Sequence, residues 1–223
     1  MSNIKKLVLM LSAASVIATN AIAGNKQSRN NIPYAKADVG YSTMPEKLNS
    51  RFYSSRAGGA FVGAFGIGYA INSKIRTDVS FAYRGEYRYA ATGQSGLRAK
   101  QRISSTALVL GGYWSPFGSV LKYVSPYLMG GAGLAINKTG AFGNSQTYVL
   151  GQKTGQFAWQ IGTGLLYKAS DRIHVDLMYK YVDLGDVRTG DVMYDGSTRR
   201  ASSGISGKLK AHEITIGVWF NFI

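Results

Sequence analysis

Apolar and polar residues alternate one for one through most of this chain. From Ile75 every second residue reads Ile75, Thr77, Val79, Phe81, Tyr83, Gly85, Tyr87 and Tyr89. The residues between read Arg76, Asp78, Ser80, Ala82, Arg84, Glu86 and Arg88. A period of two places the two sets on opposite faces of a β-strand. One face is apolar and ends in aromatics, and the other carries charges of both signs. The run is 15 residues long, whereas a strand of a soluble protein usually has about five or six. Tyrosines gathered toward one end of an apolar face match a strand that crosses an outer membrane, where aromatic girdles mark the lipid–water boundary. The apolar face is therefore expected to meet lipid, with Tyr87 and Tyr89 at the outer rim. The charged face is expected to line an interior.

Seven more segments read as strands: Tyr34–Tyr41, Ala60–Ile71, Ile103–Trp114, whose faces are less sharply divided, Pro126–Asn137, Phe157–Tyr167, Ile173–Tyr181 and His212–Phe222. The links between segments also alternate. Asn72–Lys74 and Lys168–Arg172 are short and Ser115–Ser125 is longer, whereas Ser42–Gly59, Ala90–Arg102, Lys138–Gln156 and Val182–Ala211 are long and polar. Short turns at one end and long loops at the other are the layout of an outer-membrane barrel. The predicted fold is all-β: an eight-stranded antiparallel up-and-down transmembrane β-barrel with both termini at the short-turn end. Gly66, Gly68, Gly162, Gly164 and Gly217 fall on the inward faces. They suit the narrow interior of an eight-stranded barrel, where long side chains must be accommodated. A soluble lipocalin-like barrel, apolar face inward, is the architectural rival.

The first residues say where such a barrel goes. Lys5 and Lys6 precede an apolar run, Leu7 to Thr19, and Ala21-Ile22-Ala23 follows as a small-x-small site. This is the layout of a secretory signal peptide over residues 1–23, cleaved after Ala23, leaving a barrel domain of residues 24–223. The apolar run is short of the roughly 20 residues a spanning helix needs. The chain has no cysteine, which excludes a disulfide scaffold, a thiolate metal site and a lipoprotein anchor. Without Lys5 and Lys6 it keeps 24 basic residues against 11 acidic ones, a net charge of +13. Export and the lack of a basic helix exclude nucleic acid as the partner. Outer-membrane lipid, lipopolysaccharide phosphate or a sulfated glycan is the expected class.

Two charged groups follow from the alternation. Lys36, Asp38, Arg76, Asp78, Arg84, Glu86, Arg88, Asp176, Lys180 and Glu213 all fall on inward faces. Isolated charges there are costly, so they are expected to pair as a luminal ion-pair network that plugs the barrel, the alternative being a narrow gated ion path. The second group lies in the long links and is mostly cationic. Arg98, Lys100, Arg102, Arg199 and Arg200 are the ligand-binding candidates among Lys47, Arg51, Arg56, Lys138, Lys153, Arg188, Lys208 and Lys210, with Glu46, Asp183, Asp186, Asp191 and Asp195 as the fewer acids. Loops on a rigid scaffold often carry function. Catalysis is not expected. His174 and His212 are the only histidines, and neither has a serine in a recognised elbow beside it. Ser119-Val120-Leu121-Lys122 with Lys138-Thr139-Gly140 imitates parts of a penicillin-binding signature at far too short a spacing. There is no Gly-rich phosphate loop and no metal-ligand spacing, so no cofactor is expected.

Several stretches together resemble the small OmpA-like and opacity-type outer-membrane barrels, and within them the rickettsial-type surface adhesins. They are Gly66-Ile67-Gly68-Tyr69 with Ile75-Arg76-Thr77-Asp78, Pro126-Tyr127-Leu128 with Gly130-Gly131-Ala132-Gly133, Phe157-Ala158-Trp159-Gln160, Tyr179-Lys180-Tyr181-Val182-Asp183-Leu184-Gly185, and His212-Glu213 through Phe222. The resemblance implies a bacterial outer-membrane protein and an adhesin that binds a host glycan or plasma protein. A small porin, a purely structural protein and, most distantly, a lipid-modifying barrel enzyme are the other readings. It also implies that the insertion machinery reads the last strand, which here ends Phe222-Ile223 rather than on an aromatic residue.

Overall fold

The computed structural model describes residues 32–44, 54–92, 98–117, 120, 123–143, 147–188, 190, 192–195, 198–201 and 206–222. Among the described residues there are thirteen strands and no helix: β1 (Ile32–Thr43), β2 (Ser54–Ala57), β3 (Gly59–Ala70), β4 (Ile75–Thr92), β5 (Arg98–Trp114), β6 (Val124–Thr139), β7 (Phe142–Gly143), β8 (Thr147–Val149), β9 (Lys153–Lys168), β10 (Ile173–Arg188), β11 (Val192–Asp195), β12 (Thr198–Ala201) and β13 (Ser206–Asn221). Eight of these, β1, β3, β4, β5, β6, β9, β10 and β13, pair antiparallel in chain order. The β1–β13 pair, running from Tyr34↔Asn221 to Thr43↔His212, closes the barrel. Closure removes both sheet edges and gives every stave a backbone partner on each side, as a strand surrounded by hydrocarbon requires. The leader and its Ala23 site lie outside the described residues, as do Glu46, Lys47, Arg51, Asp191 and Ile223.

The outward faces form an apolar belt. Ile67 is 69% exposed, Phe65 61% and Ile214 60%, so no described residue covers them. A band of this kind is what hydrocarbon solvates, and it decides against the soluble barrel, in which these side chains would point inward. The inward faces alternate small and large residues. A Cβ on Gly162 would sit 2.7 Å from the Lys180 Cβ, and one on Gly68 would sit 2.8 Å from the Tyr34 ring. The glycines thus provide the volume that the long luminal side chains occupy.

The staves run 12 to 18 residues, and all but β3, which matches its predicted length of 12, are longer than the alternation predicts. The expected link from Ala90 to Arg102 is mostly ladder: Ala90 pairs with Lys100 and Thr92 with Arg98. The hairpin continues past the lipid because its backbone groups satisfy one another whatever side chains they carry. Two breaks in register interrupt the tall staves. One lies on β4 between Arg84 and Tyr87, and the other on β10 between Asp183 and Asp186. Each is a β-bulge, an extra residue that bends the strand and shifts its alternation. Gly185, within the second, has φ = 76°, a conformation that glycine adopts without steric cost. Above the rim, β7, β8, β11 and β12 form a separate sheet in the order β12-β11-β8-β7, joining the loop after β6 to the loop after β10.

Candidate functional site

The β4 bulge reassigns one part of the predicted lumen. Tyr87, expected at the lipid rim, is fully buried, and its hydroxyl lies 2.6 Å from the Ser42 hydroxyl. Glu86 and Arg88, expected inside, are exposed on the outer wall. Glu86 pairs there with Arg102 at 3.4 Å. The physical reason is the extra residue between Arg84 and Tyr87, which exchanges inward for outward from that point on. The signal available in the sequence was Gly85, since a glycine within a strand often marks a bulge. The Tyr89 side chain lies outside the described ones.

The other eight luminal charges, Lys36, Asp38, Arg76, Asp78, Arg84, Asp176, Lys180 and Glu213, are buried in the interior. They form two centres with an aromatic floor. In the lower centre Lys36 donates to Asp78 at 2.8 Å and lies 3.8 Å from Asp38. Lys36 also donates to the Tyr113 hydroxyl. Tyr127 donates to Asp176 at 2.7 Å. Arg76 lies over the Trp219 ring at 4.9 Å and the Tyr127 ring at 5.4 Å, and donates to Ser115 at 3.1 Å. In the upper centre Glu213 accepts from Arg84 at 2.5 and 3.1 Å and from Ser42 at 3.0 Å, with Lys180 at 3.4 Å. Four cations face four anions, so the buried charge cancels. Above this centre Tyr87, Ile103, Val182, Leu184, Val187 and Leu209 pack as an apolar layer. Below it Tyr34, Tyr113, Tyr127, Met178 and Trp219 form the floor. The charged members were legible from alternation. Their aromatic and hydroxyl partners, Tyr113, Tyr127 and Ser42, were missed, because only the register shows which strands bring them together.

The ligand-binding candidates occupy strands rather than loops. Arg98 and Lys100 lie in β5 opposite Thr92 and Ala90. Arg199 and Arg200 lie in β12 opposite Tyr194 and Met193 of β11. β11 in turn pairs with β8, Met193 with Val149. Of the small sheet's two edge strands, β7 is the one that lies against β5, so Arg199 and Arg200 are not in register with Arg98 and Lys100. Arg102 stands lower, on the outer wall beside Glu86. His174 lies near the short turns. His212 lies toward the loop end, its Nδ1 2.6 Å from the Tyr179 hydroxyl and its ring against Tyr179 and Tyr181. With Trp159 beside Tyr181, these rings are part of an interfacial aromatic girdle on the β9, β10 and β13 side.

Comparison with known proteins agrees with this architecture. A family model for the outer membrane protein beta-barrel domain matches residues 7–222. Outer membrane protein PagN of Salmonella typhimurium is 26% identical over 199 residues, covering 82% of this chain and 78% of that protein. A candidate adhesin of Rickettsia bellii is 23% identical, covering 97% of this chain and 99% of its own length. Among solved structures, Neisserial surface protein A covers 85% of this chain and 97% of its own, with a TM-score of 0.51 at 15% identity. The outer membrane protein OprG of Pseudomonas aeruginosa covers 88% of this chain and 99% of its own, with a TM-score of 0.52 at 14% identity. An end-to-end family match and an apolar outer belt on a closed barrel lead to one conclusion: this chain belongs to the outer membrane protein beta-barrel domain family and resides in the bacterial outer membrane.

Proposed function

We propose that this protein is a surface adhesin, a plugged barrel that presents basic loops to an anionic host glycan or plasma protein. The observation that carries the reading is the partition of charge. The described luminal charges cancel, so the strong net positive charge of the chain resides outside the lumen. Its cations are abundant toward the long-loop end. The end-to-end relation to candidate adhesins of Rickettsia supports the same reading. The His212 ring, hydrogen-bonded to Tyr179, belongs to the aromatic girdle, and we read the protein as non-catalytic. Residues 1–23 direct export, and the last strand, ending Phe222-Ile223, engages the insertion machinery. Protein from the outer membrane is then expected to begin at Gly24, and an intact mass that retains residues 1–23 overturns the leader. Phe222→Ala is expected to lower assembled barrel, and an unchanged yield overturns the role of the last strand.

The adhesion test uses cells displaying the chain. Replacing Arg98, Lys100, Arg199 and Arg200 together by Ser is expected to reduce binding to host cells and to immobilised heparin. Binding by the unsubstituted chain is expected to weaken as salt rises through the range in which exposed charges are screened. Binding that survives the substitutions, or that ignores salt, refutes the electrostatic adhesin.

A further inference from the structure

We propose that the outer wall over β4, β5, β6 and β9 is a binding site for the phosphate groups of an outer-leaflet glycolipid of the lipid A type. Cross-strand register lays out this wall as rows. The first, Phe81–Leu108–Leu134–Phe157, is wholly apolar. One step up, Tyr83–Thr106–Ile136–Gly155 mixes an aromatic, a hydroxyl, an aliphatic residue and a gap. One step further, Ser104 pairs with Lys138 and Lys138 with Lys153. Directly above, Arg88 pairs with Arg102. Successive rows are two residues, about 7 Å, apart along the strand. The wall thus changes from hydrocarbon-facing to cationic over the depth at which lipid headgroup phosphates lie.

The four cations are exposed on the outside. Side chains directly opposite on neighbouring strands have Cβ atoms about 5 Å apart, and like charges there repel. Lys138–Lys153 and Arg88–Arg102 are two such pairs on successive rows, with Glu86 the sole acid among the described residues set against them, 3.4 Å from Arg102. Gly140, whose amide donates to the Arg102 carbonyl at 2.8 Å, has no side chain to stand between Arg102 and Lys138. An anion bridging these groups relieves both repulsions.

The opposite wall is built differently. There Lys210 is the register partner of Asp183 and Lys208 of Asp186, and below them lie the Tyr179, Tyr181 and His212 rings. These two lysines, matched by acids over an aromatic girdle, need no external anion, and the exposed Arg188 one row higher stands opposite Ser206 rather than a second cation. The asymmetry singles out the β4–β9 side. Its own β4 members exist only because of the bulge: without the extra residue, Glu86 and Arg88 would point inward. This inference does not rest on adhesion, since it concerns the wall and not the tips of the loops.

The test uses the full mature chain in phospholipid nanodiscs, with purified lipopolysaccharide and the same material after dephosphorylation as probes. Retention of lipopolysaccharide per barrel is expected to fall about tenfold or more in R88S/R102S/K138S/K153S, each surface cation contributing to binding of anionic lipid headgroups. Dephosphorylated material is expected to bind the unsubstituted chain as weakly. K208S/K210S, and the Ser substitutions of Arg98, Lys100, Arg199 and Arg200, are expected to retain lipopolysaccharide as the unsubstituted chain does. The heat-dependent shift in gel mobility reports that each variant is folded. If the quadruple variant does not assemble, R102S/K138S carries the test, with an expected loss of about threefold or more. Equal retention of phosphorylated and dephosphorylated glycolipid overturns the site. So does undiminished binding by the folded variants, or an equal loss in K208S/K210S. Loss of heparin binding with retained glycolipid, or the reverse, separates the adhesin reading from this one.

Discussion

Removing the Glu213 carboxylate tests the upper luminal centre most directly. Glu213 is fully buried and accepts two hydrogen bonds from Arg84 and one from Ser42, with Lys180 at 3.4 Å. Glu213→Ala leaves two cations in the interior with no anion of their own. Breaking a buried ion pair by deleting one partner costs about 3–5 kcal/mol, a large share of the roughly 5–15 kcal/mol that holds a typical domain folded. The partners are unequal, which sharpens the expectation. Arg84→Met leaves Glu213 with Lys180 and Ser42 and is expected to cost about 3 kcal/mol. Lys180→Met leaves both Arg84–Glu213 hydrogen bonds intact and relieves the repulsion between two cations, so its cost is expected to stay within about 1 kcal/mol. Replacing all three by Met removes the charges together. It is expected to return stability to within about 2 kcal/mol of the unsubstituted protein, since apolar replacement of a whole buried cluster is often neutral. The assay is urea unfolding from lipid vesicles, read by tryptophan fluorescence and by the gel shift between folded and unfolded barrel. A Glu213→Ala cost under about 1 kcal/mol, or a Lys180→Met cost as large as that of Glu213→Ala, refutes the centre as drawn.

The bulge predicts a contrast at Tyr87. Tyr87→Phe removes one buried hydrogen bond and is expected to cost about 1 kcal/mol, whereas Tyr87→Ala opens a cavity in the upper layer and is expected to cost about 3–5 kcal/mol; near-neutral values for both in the same unfolding assay would return this residue to the lipid rim. Gly217→Val is expected to reduce the yield of folded barrel, because even its Cβ would sit 2.9 Å from the Ala37 carbonyl oxygen and against Asp38. Gly130→Ala, where a Cβ meets nothing within 4 Å, is expected to fold as the unsubstituted chain does, and equal yields for the two variants would refute glycine-made room for the luminal carboxylates. Planar-bilayer recordings are expected to show no large, stable conductance, and a steady porin-sized current overturns the plugged lumen.

Most of the fold was legible in the sequence because the membrane imposes its rule residue by residue. Lipid on one side of each stave and a narrow polar lumen on the other force a period of two, and Ile75 to Arg84 displays it without tertiary information. The inward glycines also followed from that period, as did the eight staves and the inward placement of Lys36, Asp38, Arg76, Asp78, Arg84, Asp176, Lys180 and Glu213. Partners were less legible. Tyr127 reaches Asp176 from a residue 49 positions away, and Ser42 reaches Glu213 across 171, so only barrel closure brings them together.

What tertiary structure alone decided was the phase of the pattern above the membrane. Two quartets, Arg84-Gly85-Glu86-Tyr87 and Leu184-Gly185-Asp186-Val187, have the same form: a buried residue, a glycine, an acid and a second buried residue. Both span register breaks. An alternation read straight through Gly85 puts Tyr87 in lipid and Arg88 in the lumen; the bulge reverses both. The cause is steric and cooperative. The extra residue has no partner on the neighbouring strand; Gly85 and Gly185 mark where the chain can take it up, and the closed ladder fixes the buried positions on either side, Arg84 with Tyr87 and Leu184 with Val187. Export, period, strand number and net charge belong to the sequence by itself. The pairing of the buried charges, the union of two loops in one sheet and the cationic face of the outer wall belong to the folded barrel, because each depends on strands far apart in the chain meeting in one register.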